Sequence, residues 1–189
     1  MPISQEARAG AKASAAARAG GGIGAQVRMH THWRVVARDP GGEVKWADDF
    51  DNLVVNEGLD DLLDNYLKGS GYTAAFYVGI TGTAPSFAAG DTMGSHDGWT
   101  EVEAYDEATR ETLTLGAVSS QSVDNSASKA QFTIDTNGTK IGGAFVSTDD
   151  EKGGSGGTLY GGAALSAGDK ELDDDDTLDV TVTLTAAAA

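Results

Sequence analysis

The sequence predicts a mainly β protein: an antiparallel β-sandwich or jelly roll of about eight strands, with one short helix and an extended N-terminal arm. Three observations carry that expectation. Short runs rich in β-branched and aromatic residues recur along the chain, separated by Gly, Ser, Asn and Asp clusters. Only one segment downstream of the N-terminal region has helical periodicity, so the crossover helices of a parallel sheet are missing. The last run, TLDVTVTLTA, alternates strictly, with Leu178, Val180, Val182 and Leu184 against Asp179, Thr181, Thr183 and Thr185. Such alternation marks a strand with one buried face and one wet face.

Residues 1–25 form the first region, the arm. Ala and Arg favour a short helix over residues 5–19, and Gly20, Gly21, Gly22 and Gly24 end it. The arm is otherwise poor in large apolar side chains, so a partner surface, rather than self-packing, is what would order it.

Residues 26–189 form a single β domain. QVRMHTHWRVVAR alternates, placing Val27, Met29, Thr31 and Trp33 opposite Arg28, His30, His32 and Arg34. DPGG at 39–42 is turn chemistry, and EVKWADDF resumes the extended pattern, so a hairpin is expected over residues 26–50. The helix follows at 56–67. Asn56 is its expected cap, with Glu57, Asp60 and Asp61 at the positive end of the helix dipole. Leu59, Leu62, Leu63, Tyr66 and Leu67 make an apolar stripe expected to cover one edge or end of a sheet, and Lys68 and Gly69 close the helix. AAFYVGIT, WTEVEAY, TRETLTLGAV, AQFTIDT, KIGGAFVST, TLYGGAAL and TLDVTVTLTA are the expected strands thereafter.

Charge narrows the function. The formal net charge is -16, yet residues 1–38 carry Arg8, Lys12, Arg18, Arg28, Arg34 and Arg38 against the single acid Glu6. The remainder is strongly acidic and opposes a phosphate backbone, so no nucleic-acid partner is expected. The chain has no cysteine, which removes disulfides and thiolate metal sites. No apolar run approaches the roughly 20 residues that cross a bilayer, and the N-terminus lacks a secretory apolar segment, so neither a membrane partner nor export is expected.

Chemistry is sparse. GDTMGSHDGWTE places Ser95, His96 and Asp97 side by side, but a relay needs three side chains converging from different parts of a fold, and neighbours on an extended segment point to opposite faces. No GxSxG elbow, in which a strained strand-to-helix turn lifts the serine out of the sheet, is present, and no HExxH or P-loop occurs. Glu101 and Glu103 are a carboxylate pair that nothing in the sequence marks as desolvated. His30 and His32 share a face, yet two ligands do not make a metal site. TDDEKGGSGG and ELDDDD lack the spacing of a calcium loop and are expected to be solvated. No cofactor, no metal and no catalytic residue is therefore expected.

NLVVNEGL (Asn52 to Leu59), YVGIT (Tyr77 to Thr81), DTMGSHDGWTE (Asp91 to Glu101) and Arg110 together resemble a family of tailed-bacteriophage virion structural proteins. The resemblance runs over residues 46–189 and omits the arm; Ile80 stands where the family pattern has leucine. It implies a virion component assembled in the host cytoplasm, most simply a capsid decoration or cement protein bound to the major capsid protein and to other copies of itself. In that reading Arg8, Lys12, Arg18 and Arg28 pair with acidic shell surface. Asp91, as an Asx-turn residue, His96, as a hydrogen-bonded staple or an exposed residue, and the apolar Trp99 hold the loop. A tail or fibre component is the alternative reading, and a hydrolase using Ser95 or His96 is a third.

Overall fold

The computed structural model describes residues 27–51, 53–68, 71 and 75–188. The arm, its expected helix at 5–19, Asn52 and Gly69 lie outside the described residues. In chain order the elements are β1 (Val27–Arg38), β2 (Val44–Asp51), β3 (Leu53–Val54), α1 (Asn56–Asp61), a π-helical turn (Leu62–Leu67), β4 (Tyr77–Thr81), β5 (Glu111–Thr112) and β6 (Ser122–Asp124). They continue with β7 (Ala130–Thr133), β8 (Thr139–Ile141), β9 (Gly143–Ser147), β10 (Leu159–Ala164), β11 (Lys170–Leu172) and β12 (Thr177–Ala188). The protein is mainly β, and among the described residues every ladder is antiparallel and there is one short helix.

Two five-stranded sheets make the sandwich. The first runs β2-β1-β12, with β6 and β7 both pairing the far edge of β12; the second runs β3-β10-β9-β4-β5, and β8 and β11 form a separate ribbon. One core joins the sheets: Trp33, Val35 and Ala37 of β1, Phe132 of β7 and Leu178, Val180 and Val182 of β12 meet Val78 and Ile80 of β4, Ala144 and Val146 of β9 and Ala163 of β10. Side chains of both inner faces interdigitate as aligned sheets require.

The expected alternation fixes β1 and β12. Thr31, Trp33, Val35 and Ala37 are buried, while Arg28, His30 and Arg34 are exposed. The DPGG hairpin forms as read: the Gly42 amide donates to the Asp39 carbonyl at 2.9 Å, Gly42 takes φ +86°, and Asp39 accepts the Glu43 amide on its carboxylate at 2.9 Å. That is a type I turn followed by a left-handed residue, a common three-residue hairpin loop.

β6 and β7 lie end to end along β12 and leave a gap between Val180 and Thr183. The side chain of the buried Asn125 fills it. Its Oδ1 accepts the Val182 amide at 2.7 Å and its Nδ2 donates to the Val180 carbonyl at 3.2 Å, so an amide side chain stands in for a missing strand residue.

Three local expectations are corrected. WTEVEAY is not a strand; it touches the sheets only at single bridges, Thr81–Glu101 on the second and Tyr105–Ile134 on the first. The segment crosses from one sheet to the other, and its alternation reflects that passage rather than a ladder. Asn56 does not cap the helix: Val55, extended and without a side-chain bond, is the capping residue, and the Asn56 amide donates to the Ala89 carbonyl at 2.9 Å. Nor is the apolar stripe the face that seats the helix. Gly58 makes the contact, since a Cβ there would lie 2.8 Å from the Tyr160 Cα and carbonyl oxygen, while Leu59, Leu63 and Tyr66 are 38%, 55% and 40% exposed.

Asn125→Ala leaves the Val182 amide and the Val180 carbonyl buried without partners. Each orphaned group costs about 1–3 kcal/mol, so urea denaturation is expected to show a loss of at least about 2 kcal/mol, with hydrogen exchange of the Val182 amide accelerated. Unchanged exchange would show that the gap is bridged by other means.

Candidate functional site

Of the motif residues, Glu101 meets Arg110, whose side chain is fully buried. A guanidinium has five N–H donors and no acceptor, and in a dry site each donor needs a partner. Arg110 Nε and Nη2 form a bidentate pair with Glu101 at 2.8 and 2.7 Å. Nη1 donates to Ser147 Oγ at 3.3 Å and to the Asp149 carbonyl at 2.9 Å, and Nη2 also reaches the Gly154 carbonyl at 2.7 Å. Its Cζ sits 5.2 Å from the centre of the Phe145 ring. All five donors are used. The cation thus clamps the TDDEKGGSGG loop to the end of β9, and Glu101 adds the Gly153 amide at 3.0 Å.

Beside this clamp lies a second, smaller core of Val55, Met93, Trp99, Phe145 and Leu159, with Phe87 packed against it. Small residues make room for its rings: a Cβ on Gly79 would fall 2.2 Å from the Phe145 ring, and one on Gly162 would fall 2.1 Å from Phe87. Trp99 stacks on Phe87 and tilts against Phe145, with ring centres 5.2 and 4.8 Å away. Asp91 Oδ2 accepts the Trp99 indole N–H at 3.3 Å and the Ala88 amide at 3.0 Å. The His96 ring lies flat on Trp99 at 3.6 Å and 10°, and because a carbonyl only accepts, His96 Nδ1 donates its proton to Trp99 O at 3.1 Å.

Asp91, His96 and Trp99 are therefore brought into contact with one another or through Trp99. Ser95, His96 and Asp97 are not: no hydrogen bond joins their side chains, and Ser95 is tied through its backbone to Thr92. Nearby, Tyr105 is buried and its hydroxyl has no partner. Burial first, and the Glu101 carboxylate second, push that hydroxyl above its ordinary range.

The remaining candidates fall elsewhere. Arg8, Lys12 and Arg18 lie outside the described residues; Arg28 is exposed on β1, opposite Ala187 of β12. His30 and His32 meet two aspartates on the outer face of the first hairpin: His32 contacts Asp51 at 3.1 Å and Asp49 at 3.3 Å, and His30 reaches Asp51 at 3.2 Å. No group of three or more His, Asp or Glu among the described residues has the arrangement to hold a metal ion. In ELDDDD, Asp173, Asp174 and Asp175 are exposed as expected, but Asp176 is buried, accepts the Asp173 amide at 2.7 Å and pairs with Lys45. No helix among the described residues is long and apolar enough to cross a membrane.

Sequence reasoning missed two features. Arg110 was read only as the end of a motif, and nothing periodic in TRETLTLGAV announces a buried cation. The other is a cavity of about 80 Å³ at one end of the sandwich, bounded by Met29, Leu62, Phe76, Leu113, Val146 and Leu184. Comparisons with protein-family models, with curated proteins and with solved structures found no match to the chain.

Two outcomes follow from this geometry. Arg110→Met strands the Glu101 carboxylate in a dry site and is expected to cost about 3–5 kcal/mol in urea denaturation; a loss under about 1 kcal/mol would mean that water reaches the pair. His32 is raised from its ordinary 6.5, first by its hydrogen bond to Asp51, with burial opposing. A raised histidine contributes stability that is full below its unfolded value and disappears as pH climbs through the folded one. Unfolding midpoints should thus fall between about pH 6 and 8, and His32→Gln should flatten that slope.

Proposed function

We propose that the protein is a structural component of a tailed-phage virion, a decoration protein that binds the head shell through its basic N-terminal residues. The observation that carries this reading is the fate of the motif residues. Asp91, Trp99, Glu101 and Arg110 bond to one another's surroundings rather than to an open site, and the Arg110 donors are fully used. Groups consumed in this way stiffen a loop; they do not bind a substrate. The resemblance of the same residues to a virion family, and the separation of a basic leader from an acidic body, support the reading further.

The mechanism is binding energy. A basic segment that runs over an acidic shell gains charge pairs along its length but loses conformational entropy on ordering. Repetition of the contact by symmetry supplies avidity that one copy lacks. The acidic body stands outward and joins other copies, and its charge keeps the unassembled protein soluble.

Reversing Arg8, Lys12, Arg18 and Arg28 to Glu together is expected to leave the unfolding midpoint of the domain unchanged. Add-back to purified particles should then show occupancy reduced at least about tenfold, a difference of about 1.4 kcal/mol, and the wild-type hold should weaken with salt. Undiminished occupancy would reject the role of the leader. Copy number per particle decides between head and tail: hundreds agree with decoration, whereas about 3 to 12 would place the protein in the tail.

A further inference from the structure

The connection from β7 to β8 turns at Asn137 and Gly138, the one Asn-Gly pair in the chain, and both residues are exposed. In such a pair the main-chain nitrogen of the glycine can approach the side-chain carbonyl of the asparagine without a Cβ in the way. Here nothing lies within 4 Å of where a Cβ on Gly138 would stand, and Gly138 takes φ +75°. The approach is open.

Two hydrogen bonds reach this pair from the loop before β12. The Asp174 amide donates to Asn137 Oδ1 at 3.2 Å, and the Gly138 amide donates to Asp173 Oδ1 at 3.2 Å. The other carboxylate oxygen of Asp173 meets Lys45 Nζ at 3.4 Å, which fixes the oxygen turned toward Gly138. An N–H aimed at a carbonyl oxygen stabilises negative charge that develops there, and so makes the carbonyl carbon easier to attack. A carboxylate on the N–H of the attacking nitrogen is placed to take its proton. Electrophile and nucleophile are thus both prepared, by a loop distant in sequence.

We infer that Asn137 is a self-modifying residue, converted to aspartate and isoaspartate by attack of Gly138 N, with Asp173 as the base and the Asp174 amide as the oxyanion donor. The Gly138 nitrogen forms a bond to Asn137 Cγ, the carbonyl pair moves onto Oδ1, and the proton of Gly138 passes to Asp173. When the pair on Oδ1 returns, the Cγ–Nδ2 bond breaks. Asp173 gives its proton to the departing nitrogen, which leaves as ammonia, and a five-membered imide remains. Water then opens the imide. Attack at Cγ leaves aspartate at 137, and attack at the main-chain carbon leaves isoaspartate, whose longer main chain leads into β8. Either product sets one more carboxylate beside Asp173, Asp174 and Asp175.

Asn125 shows what the reaction requires beyond these bonds. Its Oδ1 also accepts an amide, that of Val182, and the following amide, of Ser126, also donates to a carboxylate, that of Asp124, at 2.8 Å. It is buried, however, its Nδ2 is held by the Val180 carbonyl, and the next residue carries a Cβ. Burial excludes water and the leaving group is tied, so Asn125 serves as the internal control.

Full-length protein is held folded at neutral pH, digested with trypsin at intervals and measured by mass spectrometry; peptides 130–140 and 111–129 carry Asn137 and Asn125. The first is expected to gain the mass difference between amide and acid, as two products separable by chromatography, at least about tenfold faster than in the same chain unfolded in guanidinium at the same pH. The second should not change while the chain is folded. Asp173→Asn keeps a side-chain oxygen for the Gly138 amide but removes the base, and Lys45 keeps Asp176. In that variant the rate at 137 should fall at least about tenfold with the unfolding midpoint nearly unchanged. A folded chain in which Asn137 deamidates no faster than in the unfolded chain overturns the inference, whether or not the variant folds. So does an Asp173→Asn protein that folds and deamidates at the wild-type rate.

Discussion

The fold depends on the pairing of its first and last described strands. β1 and β12 stay in register over twelve residue pairs, from Val27–Ala188 to Arg38–Thr177, and no other ladder among the described residues is as long. One residue of slip would turn Trp33, Val35, Val180 and Val182 outward together, because strand side chains alternate with period two. Hence the register is held by the whole buried face at once. β2 adds to one side of this pair, β6 and β7 to the other, and the second sheet packs across it. A ladder that closes a loop of well over a hundred residues must form late or slowly, since loop-closure entropy has to be met before its contacts contribute.

The second sheet answers to a different constraint. β9 and β10 are rich in small residues, GAFVS and LYGGAA, so their faces can admit whole rings where an ordinary strand would present side chains. Phe87, Trp99 and Phe145 occupy that room, and Arg110 lies over the last of them. A buried ion pair is weak evidence for stability in itself, because desolvation offsets much of the attraction. What the Arg110–Glu101 pair supplies here is geometry. Two oxygens of one carboxylate and two backbone carbonyls from a glycine-rich loop are fixed relative to one planar group, and TDDEKGGSGG, which has no ladder of its own, acquires a single shape.

How much of this was legible follows from the range of the forces involved. β1, its DPGG hairpin and β12 could be read because alternation and turn chemistry are local signals; the buried faces agree with them except that Asp179, expected on the wet face, is buried beside Lys129 and Gln131, and Leu184 is only partly buried. The helix at 56–67 could be located but not oriented. Its leucine stripe advertised a packing face, yet the seat is set by Gly58, whose missing Cβ lets the helix approach the Tyr160 backbone, and an absence of side chain leaves no periodic trace. Asn125 and Arg110 were beyond reach for a related reason. Each satisfies groups 37 to 57 residues away, and polar complementarity at that distance has no spacing rule. The motif resemblance noted Arg110 only as an arginine that follows the loop ending at Glu101, without pairing the two.

The distribution of charge and of exposed apolar surface points in one direction. Acids crowd the body, yet the body pairs many of its own: Asp49 with Arg34, Asp176 with Lys45, Asp179 with Lys129 and Glu101 with Arg110. Those pairs use Arg34, Lys45, Arg110 and Lys129 internally. At the same time a cavity lies at the end of the sandwich where β1 begins. Selection for stability alone would close such a void, because each unfilled methylene costs about 0.8 kcal/mol of burial or more. The cavity bounded by Met29, Leu62 and Leu184 is thus where the body gives up burial that the core between the two sheets retains.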